Sequence, residues 1–256
     1  MVIAAILVAL ATGAPGASAV VQYDPPGTFS ILGFDPETGE IGAAVQSRVF
    51  AVGNGVLWAE AGVGAVATQA IVDVSYGPQG LALLRQGRAP AEIIKMILDA
   101  DPDPGYRGQR WQKAGRQFAV MNAKGEFAAH TGAEATPWAG DKQGRYCTAQ
   151  GNILAGPEVV AKMVEAFEAS EKNAAGQRQH ISRRLVSALE AGQAAGGDKR
   201  GQQSAALLIV KKDSGPWLHN DVVLRLQVDD SPQPIVELRR LVEMSPPNRG
   251  RGRGGF

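Results

Sequence analysis

The chain has 256 residues, of which 45% are hydrophobic and 20% charged, with 26 basic against 25 acidic side chains. This length and apolar content predict a folded protein with a large buried core. A formal net charge of +1 provides no basic field for nucleic acid. The single cysteine excludes an intrachain disulfide framework, and no Cys/His cluster has zinc spacing. We therefore expect no nucleic-acid partner, no metal and no cofactor.

The first residues have the pattern of a secretory signal. Residues 2–11 are an uncharged apolar run that is too short to span a bilayer, and residues 17–19 form an A-x-A cleavage site. We predict a signal peptide over 1–19, a short pro-segment over 20–27, a folded domain over 28–244 and a disordered Gly/Arg-rich tail over 245–256. The protein is then secreted or periplasmic, without a stable membrane anchor. A buried first helix and a cytosolic protein with a misassigned start codon are the alternatives.

The predicted elements come in alternating blocks of strands and helices. Turn residues and apolar spacing predict first a hairpin of Thr28–Phe34 with Glu40–Gln46, then one or two buried strands in Gly55–Ala70, and then helices Pro78–Gln86 and Pro90–Ala100. The middle of the chain is predicted to form a hairpin in Gln117–Thr131, a strand in Tyr146–Leu154, a helix opened by Pro157, and a helix Gln177–Ala191 ended by Gly192. The last predicted elements are strands Ser204–Lys211 and Asp221–Val228 and a helix Pro234–Met244. This order favours an α+β layered domain over a parallel doubly wound fold.

Thr28 follows Gly27 at the start of the first predicted strand and is a candidate nucleophile. No G-x-S-x-G elbow occurs, so a Ser-His-Asp triad has no support. A chain-terminal threonine can instead use its own α-amine, whose pKa is about 7.7 to 8.0, as the general base. That chemistry requires a cut between Gly27 and Thr28. The alternative interpretation is a threonine that opens a strand for packing reasons.

Six blocks of the sequence together resemble the DUF1028 family of bacteria and archaea. They are TFSILGFDPETGEIGAAVQSR from Thr28, WAEAGVGAVATQA from Trp58, SYGPQGLALL from Ser75, AAHTG from Ala128, AQGNILAG from Ala149 and GGDKRGQQSAALLIV from Gly196. The resemblance covers roughly residues 28–228. It implies the fold of the N-terminal nucleophile hydrolases, a four-layer αββα sandwich with two antiparallel sheets between helices. It also implies a homo-oligomer, most simply a homodimer.

The resemblance at Thr28 and the polar residues of the last block give the candidate catalytic residues Thr28, Asp198 and Ser204. Thr28 falls on the family's threonine at the start of the first strand. Asp198 and Ser204 lie in the GGDKRGQQS block, which we expect to line a cleft, and they would position the amine of Thr28. Asn152, where a strand meets a helix, is a candidate substrate-binding residue, and either its amide or a backbone N–H would stabilise the oxyanion. A surface loop capped by Asp198, and a simple turn at Asn152, are the structural alternatives.

Four further residues are candidate substrate-binding residues. Gln46 stands where proteasome-type subunits, which AAVQSR resembles, have an aspartate, and Arg48 would supply positive charge near the amine. An arginine in a surface ion pair is the alternative for Arg48. Gln69 and His130 are polar residues expected near the edge of the scaffold.

These residues predict an amidohydrolase of the N-terminal nucleophile type, acting on a small amide or peptide-like substrate. The alternative is a non-catalytic exported protein that uses the same cleft to bind a ligand such as a cell-wall fragment.

Overall fold

The computed structural model describes residues 27–106 and 111–248. Within these ranges the chain forms ten strands, six α-helices and a short 3-10 turn at Lys113–Gly115. The predicted signal peptide, nearly all of the predicted pro-segment and residues 249–256 of the predicted tail lie outside the described residues. No helix in the described ranges has the length and apolar character needed to cross a bilayer.

The larger sheet is antiparallel and contains the N-terminal strand. Its strands are β1 (Thr28–Phe34), β2 (Ile41–Ser47), β7 (Gly140–Gly144), β8 (Cys147–Asn152), β9 (Ser204–Val210) and β10 (Val222–Val228). They are ordered β10-β9-β2-β1-β8-β7 across the sheet. The predicted first hairpin is confirmed as β1 and β2, which pair from Thr28 with Ser47 to Phe34 with Ile41.

The smaller sheet is also antiparallel and follows the chain order. It consists of β3 (Leu57–Glu60), β4 (Gly64–Ala70), β5 (Arg116–Asn122) and β6 (Phe127–Thr131). The predicted apolar stretch Gly55–Ala70 is therefore two strands, preceded by a helical turn, and the second predicted hairpin is β5 and β6.

Six helices accompany the sheets: α1 (Gly53–Val56), α2 (Tyr76–Arg85), α3 (Pro90–Ala100), α4 (Glu158–Ala169), α5 (Ile181–Ala194) and α6 (Pro234–Met244). The predicted bounds of α3 and α6 are confirmed, and each begins with a proline in its first turn. The prediction that Gly192 ends its helix is wrong, because α5 continues past it. A Cβ at Gly192 would lie 2.7 Å from Cγ of Met163, so the glycine permits close packing there.

Three hydrophobic clusters hold the elements together. The first joins one face of the larger sheet with α4, α5 and α6. The second contains residues of both sheets, and the third joins the smaller sheet with α2 and α3. The predicted α+β class, with two antiparallel sheets and helices, is confirmed.

Side-chain alternation along β1 decides which residues meet between the sheets. Phe29 and Ile31 belong to the cluster on the helical side, whereas Leu32 belongs to the cluster shared by both sheets. Because successive side chains of a strand point to opposite faces, Thr28 and Ser30 face the space between the two sheets.

Candidate active site

Thr28 lies in a row of polar residues that crosses one end of the larger sheet. The register of β1 pairs Thr28 with Ser47 at the end of β2 and with Asn152 at the end of β8. Ser47 pairs in turn with Ser204, the first residue of β9. All four side chains are buried. Four strand ends therefore bring three hydroxyl groups and an amide together.

The peptide bond between Gly27 and Thr28 is surrounded by hydrogen-bond donors. The Gly27 carbonyl oxygen accepts a hydrogen bond from Oγ of Ser47 at 2.5 Å and one from Nη2 of Arg200 at 2.8 Å. Oγ1 of Thr28 lies 3.0 Å from Oγ of Ser47. Because the single hydroxyl proton of Ser47 goes to the carbonyl, the Thr28 hydroxyl is the donor in this contact. The Thr28 hydroxyl and two donors thus meet at one peptide bond.

Asp198, which is buried, and Arg200, which is partly buried, form an ion pair beside the same bond. Nε of Arg200 donates to Oδ1 of Asp198 at 3.1 Å, and Nη2 donates to Oδ2 at 2.7 Å. A Cβ at Gly27 would lie 2.7 Å from Oδ2 of Asp198, so the carboxylate lies against the Cα of Gly27. Arg48 is exposed, and its Nη1 donates to the Arg200 carbonyl at 2.7 Å. The structure therefore brings Asp198 and Arg48 to the Thr28 end of the sheet.

A network of buried amides lies between the sheets beside Thr28. Nε2 of Gln117 donates to the carbonyls of Gly151 and Gly140 at 2.8 and 3.3 Å, which fixes the orientation of the Gln117 amide. Its Oε1 accepts hydrogen bonds from Gln69 at 2.8 Å and from Nδ2 of Asn152 at 3.0 Å. One of the two N–H groups of Asn152 is therefore used, and its Oδ1 has no partner within the described part of the chain. The second N–H is not needed for this bond, so the role of Asn152 as an oxyanion donor stays a prediction.

Gln69 connects this network to the first strand. Its Nε2 lies 3.4 Å from the Thr28 carbonyl oxygen, and its Oε1 accepts a hydrogen bond from Oγ of Ser30 at 2.6 Å. Ser30 also accepts a hydrogen bond from Nε2 of Gln150 at 2.5 Å. The predicted residue Gln69 is thus at the site, where it links the end of β4 to the start of β1.

A cavity of about 190 Å³ opens beside Thr28. Thr28, Thr68 and Gln69 contribute its polar lining, and segments 49–52 and 55–56 with Val72 contribute the rest. This cavity therefore offers space for a small ligand against Thr28.

Ser204 lies near Thr28 but bonds elsewhere. Its Oγ donates to the Val49 carbonyl at 2.6 Å and accepts a hydrogen bond from the Val52 backbone N–H at 3.1 Å. The Ser204 hydroxyl therefore holds the loop after β2, and no hydrogen bond joins it to Thr28.

The structure does not bring Gln46 or His130 to this site. Gln46 pairs with Phe29, so its side chain is on the helical side of the larger sheet, where neither amide atom has a partner among the described residues. His130 pairs with Phe118 and packs against its ring on the side of α2 and α3, where burial lowers the pKa of the imidazole. Each of them faces away from the space between the sheets.

Ser47 and Arg200 are site residues that the sequence alone did not identify. Ser47 stands between Gln46 and Arg48, both of which were predicted, and the alternation of a strand would have favoured Ser47 once it was paired with Thr28. The charge of Arg200 beside Asp198 was visible, but it is equally typical of a surface loop.

At the end of β2 opposite to Ser47, a histidine lies within hydrogen-bonding distance of a serine and of a carboxylate. Nδ1 of His180 lies 2.8 Å from Oγ of Ser182, and Nε2 lies 3.1 Å from Oε1 of Glu40. Ser182 is fully buried and accepts a hydrogen bond from Asn248 at 2.8 Å, while His180 accepts one from the Ser182 backbone N–H at 3.3 Å as the N-cap of α5. This arrangement caps a helix and gives a substrate no access to the hydroxyl.

Cys147 pairs with Gly33, at the far end of β1 from Thr28. Cys147 is buried, and burial raises the pKa of its thiol to about 12, which keeps it protonated. Within the described ranges, no three His, Cys, Asp or Glu side chains are grouped to hold a metal ion.

Comparisons with known proteins agree on one family. A model described as "Family of unknown function (DUF1028)" matches residues 28–238. The crystal structure of a DUF1028 protein from Silicibacter pomeroyi is similar to this chain, with a TM-score of 0.72 and 32% sequence identity over 85% of this chain and 88% of that chain. A search of curated proteins found no match.

Proposed function

Because the chain belongs to the DUF1028 family, which is described only as a family of unknown function, we propose its function from its own site. The chain is the precursor of an N-terminal-threonine amidohydrolase that acts on a small amide or peptide-like substrate. The observation that carries this proposal is the Gly27 carbonyl, which accepts hydrogen bonds from Ser47 and Arg200 next to the hydroxyl of Thr28.

Activation is a cut of the Gly27–Thr28 bond by Thr28 itself. The Thr28 oxygen attacks the Gly27 carbonyl carbon and gives its proton to Ser47, whose own proton moves to the carbonyl oxygen. The tetrahedral intermediate then collapses: its hydroxyl group loses the proton and becomes the ester carbonyl, the C–N bond breaks, and the nitrogen takes up that proton to become the α-amine. Water hydrolyses the resulting ester, which returns the Thr28 hydroxyl and leaves Gly27 with a carboxylate. Ser47 and Arg200 are the two groups that stabilise charge on the carbonyl oxygen.

Thr28, Ser47 and Arg200 then act in the hydrolysis of the substrate. Once Gly27 has left, its carbonyl position is open to the carbonyl of a substrate amide, with Ser47 and Arg200 as oxyanion donors. The new α-amine lies near Asp198, because that carboxylate contacts the Cα of Gly27 in the uncut chain. The amine takes the proton of the attacking Thr28 hydroxyl and returns it to the leaving amine, and water hydrolyses the acyl-enzyme.

We also propose that the two sheets and their helices form the αββα sandwich of the N-terminal nucleophile hydrolases. Three hydrophobic clusters, one between the sheets and one on each outer side, support this arrangement. The proposed enzyme is exported, on the strength of the signal-like pattern in residues 1–19, and the family resemblance makes a homodimer its expected assembly.

The test compares the wild-type chain with the Thr28→Ala and Thr28→Ser variants on a panel of acyl-4-nitroanilides. We expect hydrolysis by the wild type, reduced hydrolysis by the serine variant and none by the alanine variant. A Thr28→Ala protein that hydrolyses the panel as fast as the wild type would overturn the proposal. Ligand binding without turnover by an uncut wild-type chain would favour the exported binding protein instead.

A further inference from the structure

We infer that the cavity beside Thr28 selects substrates with an uncharged, apolar group next to the scissile carbonyl, and that Ser204 positions the wall of this cavity. The inference deepens the proposed function and rests on it, since the cavity is taken as the site of the substrate's acyl group.

The lining of the cavity offers almost no free polar group. Oγ1 of Thr68 donates to the Gly55 carbonyl at 2.6 Å and accepts a hydrogen bond from Trp58 at 3.2 Å. The amide of Gln69 is used on both sides, by Gln117 and by Ser30. None of the lining residues is charged. A charged or strongly polar group would therefore enter without a partner, which is costly away from water.

The apolar part of the lining extends to the surface. Val49, Val52, Val56 and Val72 contribute aliphatic surface, and the ring of Phe50, which is 69% exposed, stands at the mouth. Phe50 therefore continues the apolar surface of these valines out to solvent.

The size of the cavity limits this group to one side chain. An apolar cavity of about 150 Å³ holds a benzene molecule, and the volume here is about 190 Å³. A branched aliphatic or single-ring acyl chain fits this space. A larger ligand would have to extend beyond Phe50 into solvent.

The wall formed by residues 49–52 depends on Ser204. The Ser204 hydroxyl bonds the Val49 carbonyl and the Val52 N–H at once, and so closes this loop onto the start of β9. Ala51, between them, has a φ of +51°, a left-handed conformation that is unfavourable for alanine. Ser204 is thus a positioning residue for the cavity wall, which replaces its predicted role at the amine.

The first experiment compares acetyl, 4-methylpentanoyl, phenylacetyl and succinyl 4-nitroanilides as substrates of the full-length wild-type protein. We expect kcat/KM for the 4-methylpentanoyl and phenylacetyl compounds to exceed the acetyl value by about tenfold or more. The succinyl compound should be the poorest. Hydrolysis with equal rates, or with a preference for the succinyl group, would overturn the inference.

Three variants, one of them a control, test whether this preference comes from the cavity. Val72→Lys places a cation in the lining and should reverse the order of the 4-methylpentanoyl and succinyl substrates. Val236→Lys, at a position on α6 that is 62% exposed, is the matched control and should keep the wild-type order. Ser204→Ala should lower kcat/KM for the 4-methylpentanoyl compound more than for the acetyl compound, whereas a merely structural role would lower both equally.

A binding measurement separates this inference from the proposed function. We expect 4-methylpentanamide to bind the full-length Thr28→Ala protein, as measured by changes in NMR chemical shifts. Adding Val72→Lys to the Thr28→Ala protein should abolish this binding. Selective binding without any hydrolysis by the wild type would remove the proposed function and leave the cavity assignment standing. Binding that Val72→Lys leaves unchanged, or no binding of the amide, would overturn the cavity assignment.

Discussion

Replacing Ser47 by alanine removes one of the two donors to the Gly27 carbonyl. The alanine also leaves the buried Thr28 hydroxyl without its acceptor, because Ser47 is the group that contacts both. Loss of one donor at a developing oxyanion costs about 10²- to 10³-fold in rate. We therefore expect cleavage of the Gly27–Thr28 bond in Ser47→Ala to slow by about this factor, with Arg200 as the remaining donor.

The same substitution also destabilises the fold, so the control must be equally costly. Leaving a buried polar group unsatisfied costs about 1–3 kcal/mol. Ser30 is fully buried like Ser47 and also makes two side-chain hydrogen bonds, to Gln69 and Gln150, but it does not contact Gly27. Ser30→Ala should lose similar stability and keep the wild-type cleavage rate.

Both rates are measured as the fraction of cut chain against time by intact-mass spectrometry, with urea unfolding to verify the match in stability. A wild-type rate in Ser47→Ala, or an equal loss in Ser30→Ala, would refute the role of Ser47.

Three further predictions test the burial of Cys147, the burial of His130 and the packing at Gly64. The Cys147 thiol, whose pKa burial raises to about 12, should react with a disulfide reagent only after unfolding, and reaction in the native state would contradict its burial. Burial lowers the pKa of His130 in the folded protein, so this imidazole takes up a proton in the unfolded chain first as the pH falls through about 6.5. The urea midpoint of unfolding should therefore decrease from pH 7 to pH 5. The decrease should be smaller in His130→Leu, which lacks this imidazole. Gly64→Ala would place a methyl group against the Met121 carbonyl oxygen at a φ of +153°, whereas Gly62→Ala meets nothing within 4 Å at a φ of +73°. In denaturant unfolding, the first should lose about 1–3 kcal/mol more than the second, and equal losses would contradict the overlap.

Sequence patterns predicted the elements that carry strong local signals. The first hairpin has apolar strands around a turn with proline and glycine, and α3 and α6 have an N-terminal proline and an apolar face, so their positions were predictable. β7 was not predicted because its sequence, GDKQG, has no apolar side chain. It lies at the edge of the larger sheet, where it pairs with β8 and where the Gly140 carbonyl accepts a hydrogen bond from Gln117.

The candidate site was only partly predictable, because strand register decides which face of the sheet each side chain points to. Along β2, Gln46 and Ser47 are equally polar in the sequence, and only the pairing with Thr28 shows that Ser47 faces the site. His130 and Thr131 differ by the same single step on β6, and Thr131 is the one that bonds to Gln117. A shift of one residue exchanges the two faces of a strand, so these choices require the fold.

The central claim is that the working nucleophile is a threonine with a free α-amine, and the mass of the mature protein tests it most directly. Intact-mass analysis of the purified full-length wild type should give a species that begins at Thr28, and the Thr28→Ala protein should retain Gly27. An amide-hydrolysing wild-type protein in which Gly27 is still joined to Thr28 would contradict the account.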